Sequence, residues 1–477
     1  MSKKPNDVVI TAALRTPIGT YKGSLKGLSA DKLGALAIKE SVYKSKLKSD
    51  DIDEVIMGHV LTSGLGQNPA RQASIHAGIP VSKPAHIINQ VCGSGLRSVI
   101  SGYQSIKLGE SKIIVAGGQE NMSRAPHTIF YRENKKLSEN KLVDTMVNDG
   151  LTDSFNNYHM GVTAENVADK YQISRDEQDM FALNSQEKTQ KAINEDKFKN
   201  ELIKLSINKD DKNFIFEKDE HPRGNVNLED LKKLKTIFKE NGTVTAENVA
   251  EKYQISRDEQ DKFALKSQEK TQKAISEDKF KNELIKLNVN IDDKNFIFEK
   301  DEHPRANLSL EDLKKLKTIF KENGTVTAGN SSGINDGAAA TILMTRGEAE
   351  AKGIEPLAKI VSWATCGVEP SLMGLGPIKA VNIALEKAEW EREDVDLFEI
   401  NEAFAAQSIA VIRDLKIPKE IVNVNGGAIA LGHPIGASGT RILVTLIHEL
   451  IRQDKSKGCA TLCIGGGMGI AMCIERN

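Results

Sequence analysis

Residues 86–118 read HIINQVCGSGLRSVISGYQSIKLGESKIIVAGG, and this stretch decides the fold class. It begins with the apolar run HIINQV, passes through a glycine-rich turn and ends with a second apolar run, KIIVAGG. Between the two runs, the spacing of the apolar residues predicts a helix from about Gly95 to Leu108. Two strands joined through a helix are typical of a parallel βαβ unit, whose sheet is covered by helices.

The same alternation of strand and helix signals continues on both sides of this stretch. On the N-terminal side it comprises VVITAA, the helical LSADKLGALAIKESVYK and DEVIMGHVL. Towards the C terminus it comprises LAKIVSWAT, PIKAVNIALEKA, DLFEI, a helix around residues 403–415, IVNVNGG, TRILVTLIHEL, CATLCI and GIAMCIE. We therefore predict an α/β protein that contains two α/β units with largely buried sheets.

The composition limits the classes of partner. Lys and Arg number 65 against 66 Asp and Glu, so the net charge of −1 gives no electrostatic reason to expect nucleic acid or a membrane surface. The five cysteines include no CxxC pair, which argues against a disulfide framework or a zinc site and favours a reducing compartment. The N-terminal MSKKPNDVVITAALRTP has no apolar stretch typical of a signal peptide or a spanning helix. We therefore expect a cytoplasmic protein of about two to four domains.

An internal repeat interrupts this pattern. The segment 164–245 recurs as 246–327, and 72 of the 82 positions are identical. Solenoid arrays have shorter periods and usually more copies, so we interpret the repeat as a tandem duplication in an ordinary gene, or as an error in assembling it. Without one copy the chain would have 395 residues.

Each copy reads as a largely helical unit. In copy one, SRDE at residues 174–177 has the spacing of a capping box ahead of a helical run. A charged stretch ending in ELIKL then leads to the β-like NFIFE and to a second helix, LEDLKKLKTIFKE. We therefore predict that the repeat lies in an inserted, mostly helical domain between the two α/β units.

Cys92 is the first candidate for chemistry, because it lies in the turn NQVCGSG, at residues 89–95, between a strand and a helix. A thiol at the N-terminus of a helix lies near the positive end of the helix dipole, which favours the thiolate. That position suits a nucleophile. Considered alone, the residue is also consistent with a buried structural cysteine in a glycine turn.

His433 lies in the glycine-dense segment GGAIALGHPIGASG, residues 426–439. Glycines let the backbone approach a ligand closely, and a histidine held there could take a proton from a thiol and return it. The alternative is a loop that enters a helix and whose histidine is satisfied by backbone groups.

Two further motifs complete the set of candidates. Cys463 lies in LCIGGGMG, residues 462–469, which alone also fits a tight hairpin with a core cysteine. Asn401 begins NEAFA, residues 401–405, where its amide could hold a water molecule or a carbonyl oxygen, although the motif alone also fits the start of a helix.

Together these four motifs, in this order, resemble those of the thiolases, which cleave or form 3-oxoacyl-CoA thioesters. Apart from the extra 82 residues, the resemblance covers essentially the whole chain. The motif YHMG, residues 158–161, is similar to that of the biosynthetic branch, the acetyl-CoA acetyltransferases. The resemblance implies two similar βαβαβαββ core domains stacked as a five-layer αβαβα sandwich, with an inserted loop domain. The expected limits are 1–121 with 335–355 for the N-terminal core, 122–334 for the inserted domain and 356–477 for the C-terminal core.

The resemblance also implies a role for each candidate. Cys92 would be the acyl-thioester nucleophile, His433 its base and an oxyanion donor, and Cys463 the acid and base at the α-carbon. Asn401 would hold a water molecule for one oxyanion, and the backbone N–H groups of Cys92 and Gly465 would serve the other. Because a thiol and an imidazole suffice for the proton transfers, we expect no metal and no redox cofactor.

Further positions carried over from the resemblance would line the pocket for the substrates, which are acetyl-CoA, acetoacetyl-CoA and CoA. These positions are Leu151, His159, Met160, Ala328, Ser332, Ala403 and Phe404. The basic residue that faces the CoA phosphates would be Arg223 in copy one or Arg305 in copy two. We expect Arg305, on the hypothesis that copy two docks at the pocket and copy one forms a partly ordered excursion.

The resemblance leaves alternatives open. They are a 3-oxoacyl-CoA thiolase of fatty-acid β-oxidation with a broader chain-length range, a condensing ketosynthase, and an inactive CoA-binding remnant disabled by the duplication. Cys463 argues against the ketosynthase, and the YHMG motif argues against the broader thiolase. Thiolases generally assemble as dimers of dimers, so a homotetramer is expected.

Overall fold

The computed structural model describes residues 3–131, 142–195, 201–209, 212–216, 222–223, 283–291, 294–298, 303–305 and 330–476. Between residues 201 and 305 only the backbone is described. Within these ranges, strands and helices alternate along both ends of the chain, as the sequence predicts.

The strands are numbered in chain order. They are β1 Val8–Arg15, β2 Gly19–Thr20, β3 Glu54–Gly58, β4 Ala85–Ile88, β5 Ile114–Asn121, β6 His127–Thr128, β7 Val143–Asp144, β8 Thr152–Asp153, β9 Tyr158–His159, β10 Glu201–Lys209, β11 Lys212–Phe216, β12 Pro222–Arg223, β13 Glu283–Ile291, β14 Lys294–Phe298, β15 His303–Arg305, β16 Asn335–Thr345, β17 Ala358–Gly367, β18 Leu397–Ile400, β19 Lys457–Ile464 and β20 Met468–Glu475.

The principal helices are α1 Ala30–Lys44, α2 Pro69–His76, α3 Ser94–Leu108, α4 Met160–Tyr171, α5 Arg175–Asn194, α6 Gly376–Ala388, α7 Ala405–Asp414 and α8 Ser438–Arg452. Two shorter helices span Arg346–Ala351 and Ala428–Leu431, and a single π-helical turn spans Met146–Leu151. Helix α3 agrees with its prediction and ends at Gly109, whose φ of 77° is the left-handed cap that glycine adopts without strain.

The N-terminal half forms one sheet in the order β4-β3-β5-β16-β1. Strands β4, β3 and β5 run parallel, whereas β16 is antiparallel to both β5 and β1. The chain order of strands and helices in this half is βαβαβαββ, since β1, α1, β3, α2, β4, α3 and β5 are followed, after the intervening segment, by β16.

The C-terminal half repeats this plan in the order β18-β19-β20-β17. Strands β18 and β19 are parallel, and β20 is antiparallel to both β19 and β17. The counterpart of β4 is reduced to a single parallel bridge between Phe398 and Val422. The two halves meet where β1 pairs with β17 through Val9 and Ile10.

The packing produces five layers. The apolar side chains of β1 alternate in their contacts: Val8 and Ile10 pack in a cluster with helices α3 and α8, whereas Val9 packs in a cluster with α1 and α2. The outer face of the C-terminal sheet packs against α6 and α7. Helices α3 and α8 therefore lie between the two sheets, and the predicted αβαβα sandwich is confirmed.

The segment between the two parts of the N-terminal sheet contains the repeat. Helix α5 of copy one begins as predicted, because the Ser174 side chain accepts the backbone N–H of Glu177 at 3.2 Å. ELIKLSINK, residues 201–209, forms strand β10 and pairs with β11 in a hairpin; copy two forms the matching hairpin of β13 and β14. This strand follows the alternation of Ile203, Leu205 and Ile207 with polar residues. The predicted second helix of each copy lies outside the described residues.

The docking of the two copies differs from the expectation. Helices α4 and α5 place the first part of copy one, residues 164–195, against the C-terminal core, where Phe181 and Leu183 pack in the same cluster as helix α7. The hypothesis that copy one forms an excursion is therefore wrong for these residues, because α5 buries its apolar side chains there. The matching residues of copy two, 246–277, lie outside the described residues. The predicted domain limits stay a prediction.

No helix within the described ranges is long and apolar enough to cross a membrane.

Candidate active site

Cys92 lies in a tight turn between strand β4 and helix α3. The residue before it, Val91, has a φ of 45°, a left-handed conformation that is costly for a β-branched side chain. The turn is held from both sides, since the Asn89 side chain accepts the Val91 N–H at 3.0 Å and the Ser94 hydroxyl donates to the Val91 carbonyl at 2.7 Å. The surrounding hydrogen bonds therefore maintain a strained backbone that presents the Cys92 thiol.

The protonation state of Cys92 differs from the prediction. Burial raises the pKa of the Cys92 thiol to about 11, and the nearby Glu120 acts in the same direction. The backbone N–H groups of Gly465 and of Cys92 itself approach the sulfur and lower the pKa, but their effect is smaller. The predicted stabilisation of the thiolate by the helix N-terminus is thus outweighed by desolvation, and a nucleophilic Cys92 needs a base.

His433 supplies a ring nitrogen suited to that task. The Ser438 hydroxyl donates its hydrogen to the Pro434 carbonyl at 2.9 Å, so it accepts from His433 Nδ1, 2.5 Å away. This arrangement assigns the proton of the neutral ring to Nδ1 and leaves Nε2 as the acceptor. Nε2 is buried and has no hydrogen-bond partner among the described residues.

The charge state of His433 agrees with this tautomer. Burial lowers the pKa of the His433 imidazole to about 3, and Arg441 contributes in the same direction. The backbone of the residue is fixed as well, because its N–H donates to Asn335 Oδ1 at 2.9 Å. Gly432 precedes it with a φ of 109°, and a side chain there would collide with Asn335. At neutral pH the site therefore combines a neutral imidazole with a neutral thiol.

Asn401 directly follows strand β18 and is completely buried. Its backbone N–H donates to the Thr461 carbonyl at 3.0 Å, which fixes it beside strand β19. Neither polar atom of its side chain has a hydrogen-bond partner among the described residues. A buried amide without a partner is costly unless a ligand or a water molecule satisfies it.

Cys463 lies near the end of β19, before the Gly465–Gly467 loop that leads into β20. It is 0% exposed, and burial raises the pKa of its thiol, with a further contribution in the same direction from the nearby Cys92. A Cβ atom on Gly465 would lie 3.2 Å from Met160 and 3.4 Å from Val91, so this glycine leaves space between the two cysteine motifs.

Several predicted pocket residues lie around these groups. Met160, Ala403 and Phe404 pack in one cluster with Cys463, and Leu151 packs in another cluster with Cys92. The Ser332 N–H donates to the Ala403 carbonyl at 3.0 Å.

For the remaining predicted pocket residues, the structure describes the side chain of His159 only. His159 caps helix α4, because its Nδ1 accepts the Gly161 N–H at 3.1 Å, and burial lowers the pKa of its imidazole to about 4. Ala328 lies outside the described residues. Arg223 and Arg305 occupy paired positions of the parallel strands β12 and β15, of which only the backbone is described.

Sequence reasoning missed the groups that hold the motifs together. Glu120 is completely buried at the end of β5 and accepts backbone N–H groups from Val60, Leu61 and Gly436, so it connects the loop after β3 to the loop that contains His433. A carboxylate two residues after the apolar run IIVAGG would have been a usable signal. Among the described residues, no group of three or more His, Cys, Asp or Glu side chains is placed to hold a metal ion.

Two family models match the chain. The model described as "Thiolase, N-terminal domain" matches residues 8–250 and again 244–347, and "Thiolase, C-terminal domain" matches residues 354–476. The chain belongs to the thiolase family. The acetyl-CoA acetyltransferase of Rhizobium meliloti (strain 1021) is 45% identical over 469 residues, which cover 98% of each chain. The cytosolic acetyl-CoA acetyltransferase of Rattus norvegicus is 43% identical over the full length of both chains.

Solved thiolase structures share the fold. The Bacillus anthracis acetyl-CoA acetyltransferase aligns with a TM-score of 0.79 at 36% identity and covers 100% of both chains. Human mitochondrial 3-ketoacyl-CoA thiolase in complex with CoA aligns over 100% of both chains with a TM-score of 0.78 at 35% identity. As a thiolase, the chain carries three of its four motifs where strands β4, β18 and β19 end, and the fourth, with His433, follows the short helix Ala428–Leu431.

Proposed function

We propose that this thiolase is an acetyl-CoA C-acetyltransferase, an acyltransferase that converts two acetyl-CoA into acetoacetyl-CoA and CoA in a reversible Claisen condensation. The observation that carries the proposal is the meeting of two of the cysteine motifs at one sulfur: the Gly465 N–H, from the loop that follows Cys463, is directed at the sulfur of Cys92. The curated relatives, at 43–45% identity over nearly the whole chain, are named acetyl-CoA acetyltransferases.

The first half-reaction transfers an acetyl group to Cys92. In the degradative direction, His433 Nε2 takes the thiol proton while the sulfur attacks the 3-keto carbonyl of acetoacetyl-CoA. The backbone N–H groups of Cys92 and Gly465 stabilise the resulting oxyanion. The bond between the carbonyl carbon and the α-carbon then breaks, leaving acetyl-Cys92 and the enolate of acetyl-CoA.

The second cysteine completes the carbon chemistry. Cys463 gives its proton to the α-carbon of that enolate, and in the synthetic direction it removes the α-proton from acetyl-CoA. The enolate oxygen is stabilised by His433 and by a water molecule held by Asn401, whose amide has no partner among the described residues. A CoA thiol then takes the acetyl group from Cys92, so we expect ping-pong kinetics.

The competing function is that of a thiolase for longer 3-oxoacyl chains, and the similarity to human mitochondrial 3-ketoacyl-CoA thiolase favours retaining it as a candidate. The full-length chain is expected to cleave acetoacetyl-CoA with a kcat/KM at least about tenfold above that for a 3-oxoacyl-CoA with several more methylenes. Steady-state thiolysis with both substrates measures this ratio, and mass spectrometry of the isolated Cys92 peptide detects the acetyl group. A ratio below one would establish the broader thiolase, and CoA binding without acetylation would establish an inactive remnant.

The pH dependence follows from the two pKa shifts. Below its pKa of about 3 the imidazole is protonated and cannot accept a proton, and above about pH 11 Cys92 ionises without help. We expect kcat/KM for thiolysis to stay constant between about pH 5 and pH 9, because neither group of the free enzyme titrates there. A pH–rate series in constant-ionic-strength buffers tests this. An acidic limb centred near the ordinary histidine pKa would contradict the assigned charge state.

Other parts of the proposal depend on the family resemblance. Leu151, His159, Met160, Ala328, Ser332, Ala403 and Phe404 would contact CoA or the acyl group. Arg305 of copy two, or its counterpart Arg223 of copy one, would face the CoA phosphates. No metal or redox cofactor enters the chemistry, and CoA is substrate and product. We also propose a cytoplasmic homotetramer that arose from an ordinary thiolase gene by tandem duplication; the name of the rat relative as a cytosolic enzyme supports the location.

A further inference from the structure

In the helical half of copy one, residues 164–195, the kind of substitution found in copy two depends on whether the position is buried. Four positions differ between this half and copy two: Asp169 and Glu251, Met180 and Lys262, Asn184 and Lys266, Asn194 and Ser276. Asp169 and Asn194 are exposed, and other polar residues replace them. Met180 and Asn184 are 0% and 1% exposed, and lysine replaces both in copy two.

The surroundings of Met180 and Asn184 do not suit a lysine. Met180 belongs to the apolar cluster that also contains Ile409 and Ile412 of helix α7. The Asn184 amide donates to the Met180 carbonyl at 2.9 Å, within helix α5. An ammonium group that replaces a buried methionine or asparagine must give up its hydration or its proton. The sequence of copy two is therefore incompatible with the position that α5 occupies.

Lys188 shows what this position requires of a buried cation. It is also buried, at 5% exposure, but its ammonium group donates to the Val422 carbonyl at 3.0 Å. The matching residue of copy two, Lys270, is likewise a lysine. The core thus accepts a lysine where a backbone carbonyl receives its ammonium group, whereas the two differing lysines of copy two fall on positions that hold an apolar or an uncharged side chain in copy one.

Helix α5 also reaches the catalytic segments. The Ser185 hydroxyl donates to Glu402 Oε2 at 2.5 Å and accepts the Gly427 N–H at 3.1 Å. Glu402 directly follows Asn401, and it also accepts the N–H of Ile429, in the short helix that leads to His433. Ser185 therefore connects the segment of Asn401 to the segment of His433 from behind.

We infer that helix α5 of copy one, and not its duplicate in copy two, forms the wall behind Asn401 and His433, and that Ser185 is a positioning residue for the step at the α-carbon. The docking part of this inference rests on burial and sequence alone. The positioning part rests on the proposed function, because it assigns Asn401 to the enolate oxyanion.

The first experiment compares Ser185→Ala with the matched variant Ser267→Ala, each in the full-length chain. Ser185→Ala is expected to lower kcat for condensation about tenfold, with KM and the rate of Cys92 acetylation unchanged. The reason is that Ser185 bonds to the residue next to Asn401, whereas His433 is held separately by Asn335 and Ser438. Ser267→Ala is expected to behave as the parent protein. Equal effects of the two variants, or a parallel loss of acetylation in Ser185→Ala, would overturn the positioning role.

The second experiment tests docking without catalysis. The double variant Met180→Lys with Asn184→Lys gives copy one the lysines of copy two, and it is expected to lower the melting temperature by at least about 5 °C. The reverse variant, Lys262→Met with Lys266→Asn, is expected to leave the melting temperature within about 1 °C of the parent. The opposite ranking would show that copy two docks. If the parent protein has no thiolase activity, the proposed function fails while this comparison still decides which copy docks.

Discussion

Replacement of Cys92 by serine is expected to abolish acetyl-enzyme formation and to lower kcat for acetoacetyl-CoA thiolysis on the order of 10⁴-fold or more. A serine hydroxyl is a weaker nucleophile, and a neutral His433 cannot ionise it to a comparable extent. Trapping with radiolabelled acetyl-CoA and steady-state thiolysis measure the two quantities. The Ser94 and Asn89 hydrogen bonds that hold the turn do not involve the sulfur, so the fold should be retained.

The chain offers a matched control for this variant. Cys366 is buried, and its sulfur contacts the Gly376 carbonyl at 3.5 Å, in the outer part of the C-terminal core. Cys366→Ala is expected to leave kcat and acetylation within about twofold of the parent protein. Acetylation that persists in Cys92→Ser but disappears in Cys366→Ala would contradict the assignment of the nucleophile.

Replacement of Cys463 by alanine is expected to separate the two half-reactions. Condensation and thiolysis should fall about 10²- to 10⁴-fold, since the general acid and base at the α-carbon is removed. Acetylation of Cys92 by acetyl-CoA should continue, because that step uses His433 and the backbone N–H groups of Cys92 and Gly465. Exchange of the α-protons of acetyl-CoA with deuterated water, followed by NMR, reports on the missing step directly.

Cys459 provides the control for Cys463. It lies four residues earlier on strand β19 and is likewise 0% exposed, but it packs in the outer cluster of the C-terminal half. Cys459→Ala removes the same sulfur atom from the same strand. It is expected to lower the stability of the protein but to leave the exchange rate of the α-protons of acetyl-CoA unchanged. If Cys463→Ala also lost Cys92 acetylation, the assignment of separate roles to Cys92 and Cys463 would be wrong.

Much of the fold could be read from local sequence signals. The run HIINQV and the segment after Gly93 predict a strand and a helix because a buried strand and an amphipathic helix have different hydrophobic periods. Ser174 caps helix α5, which begins at Arg175, as the sequence predicts. However, Glu177 also pairs with Arg413 of helix α7, a partner from a distant element that the local sequence does not reveal.

The sequence identified the residues of the candidate site but not their protonation states. The motifs around Cys92, Asn401, His433 and Cys463 are short and can be recognised one by one. The partners that define their state lie far away in sequence: Gly465 approaches the Cys92 sulfur, Glu120 connects two loops, and Ser185 reaches Glu402 from the repeat. Such contacts depend on how the layers pack.

The repeat shows most clearly how the linear sequence and the tertiary structure lead to different conclusions. The sequence shows two nearly identical copies, and its linear order favoured docking of copy two because that copy leads directly into the N-terminal core. Burial of Met180 and Asn184 reverses this choice for the helical half. A difference between methionine and lysine has no consequence on a surface, and only packing reveals which positions are buried.

The sequence by itself determined the alternation of strands and helices, the two-unit plan and the identity of the two cysteines, the histidine and the asparagine, because side-chain type and period are local properties. The tertiary structure decided that the Cys92 thiol and the His433 imidazole are both neutral and that copy one supplies helix α5. The physical reason is the same in each case: the free energy of a charge depends on the loss of water and on partners brought from elsewhere in the fold.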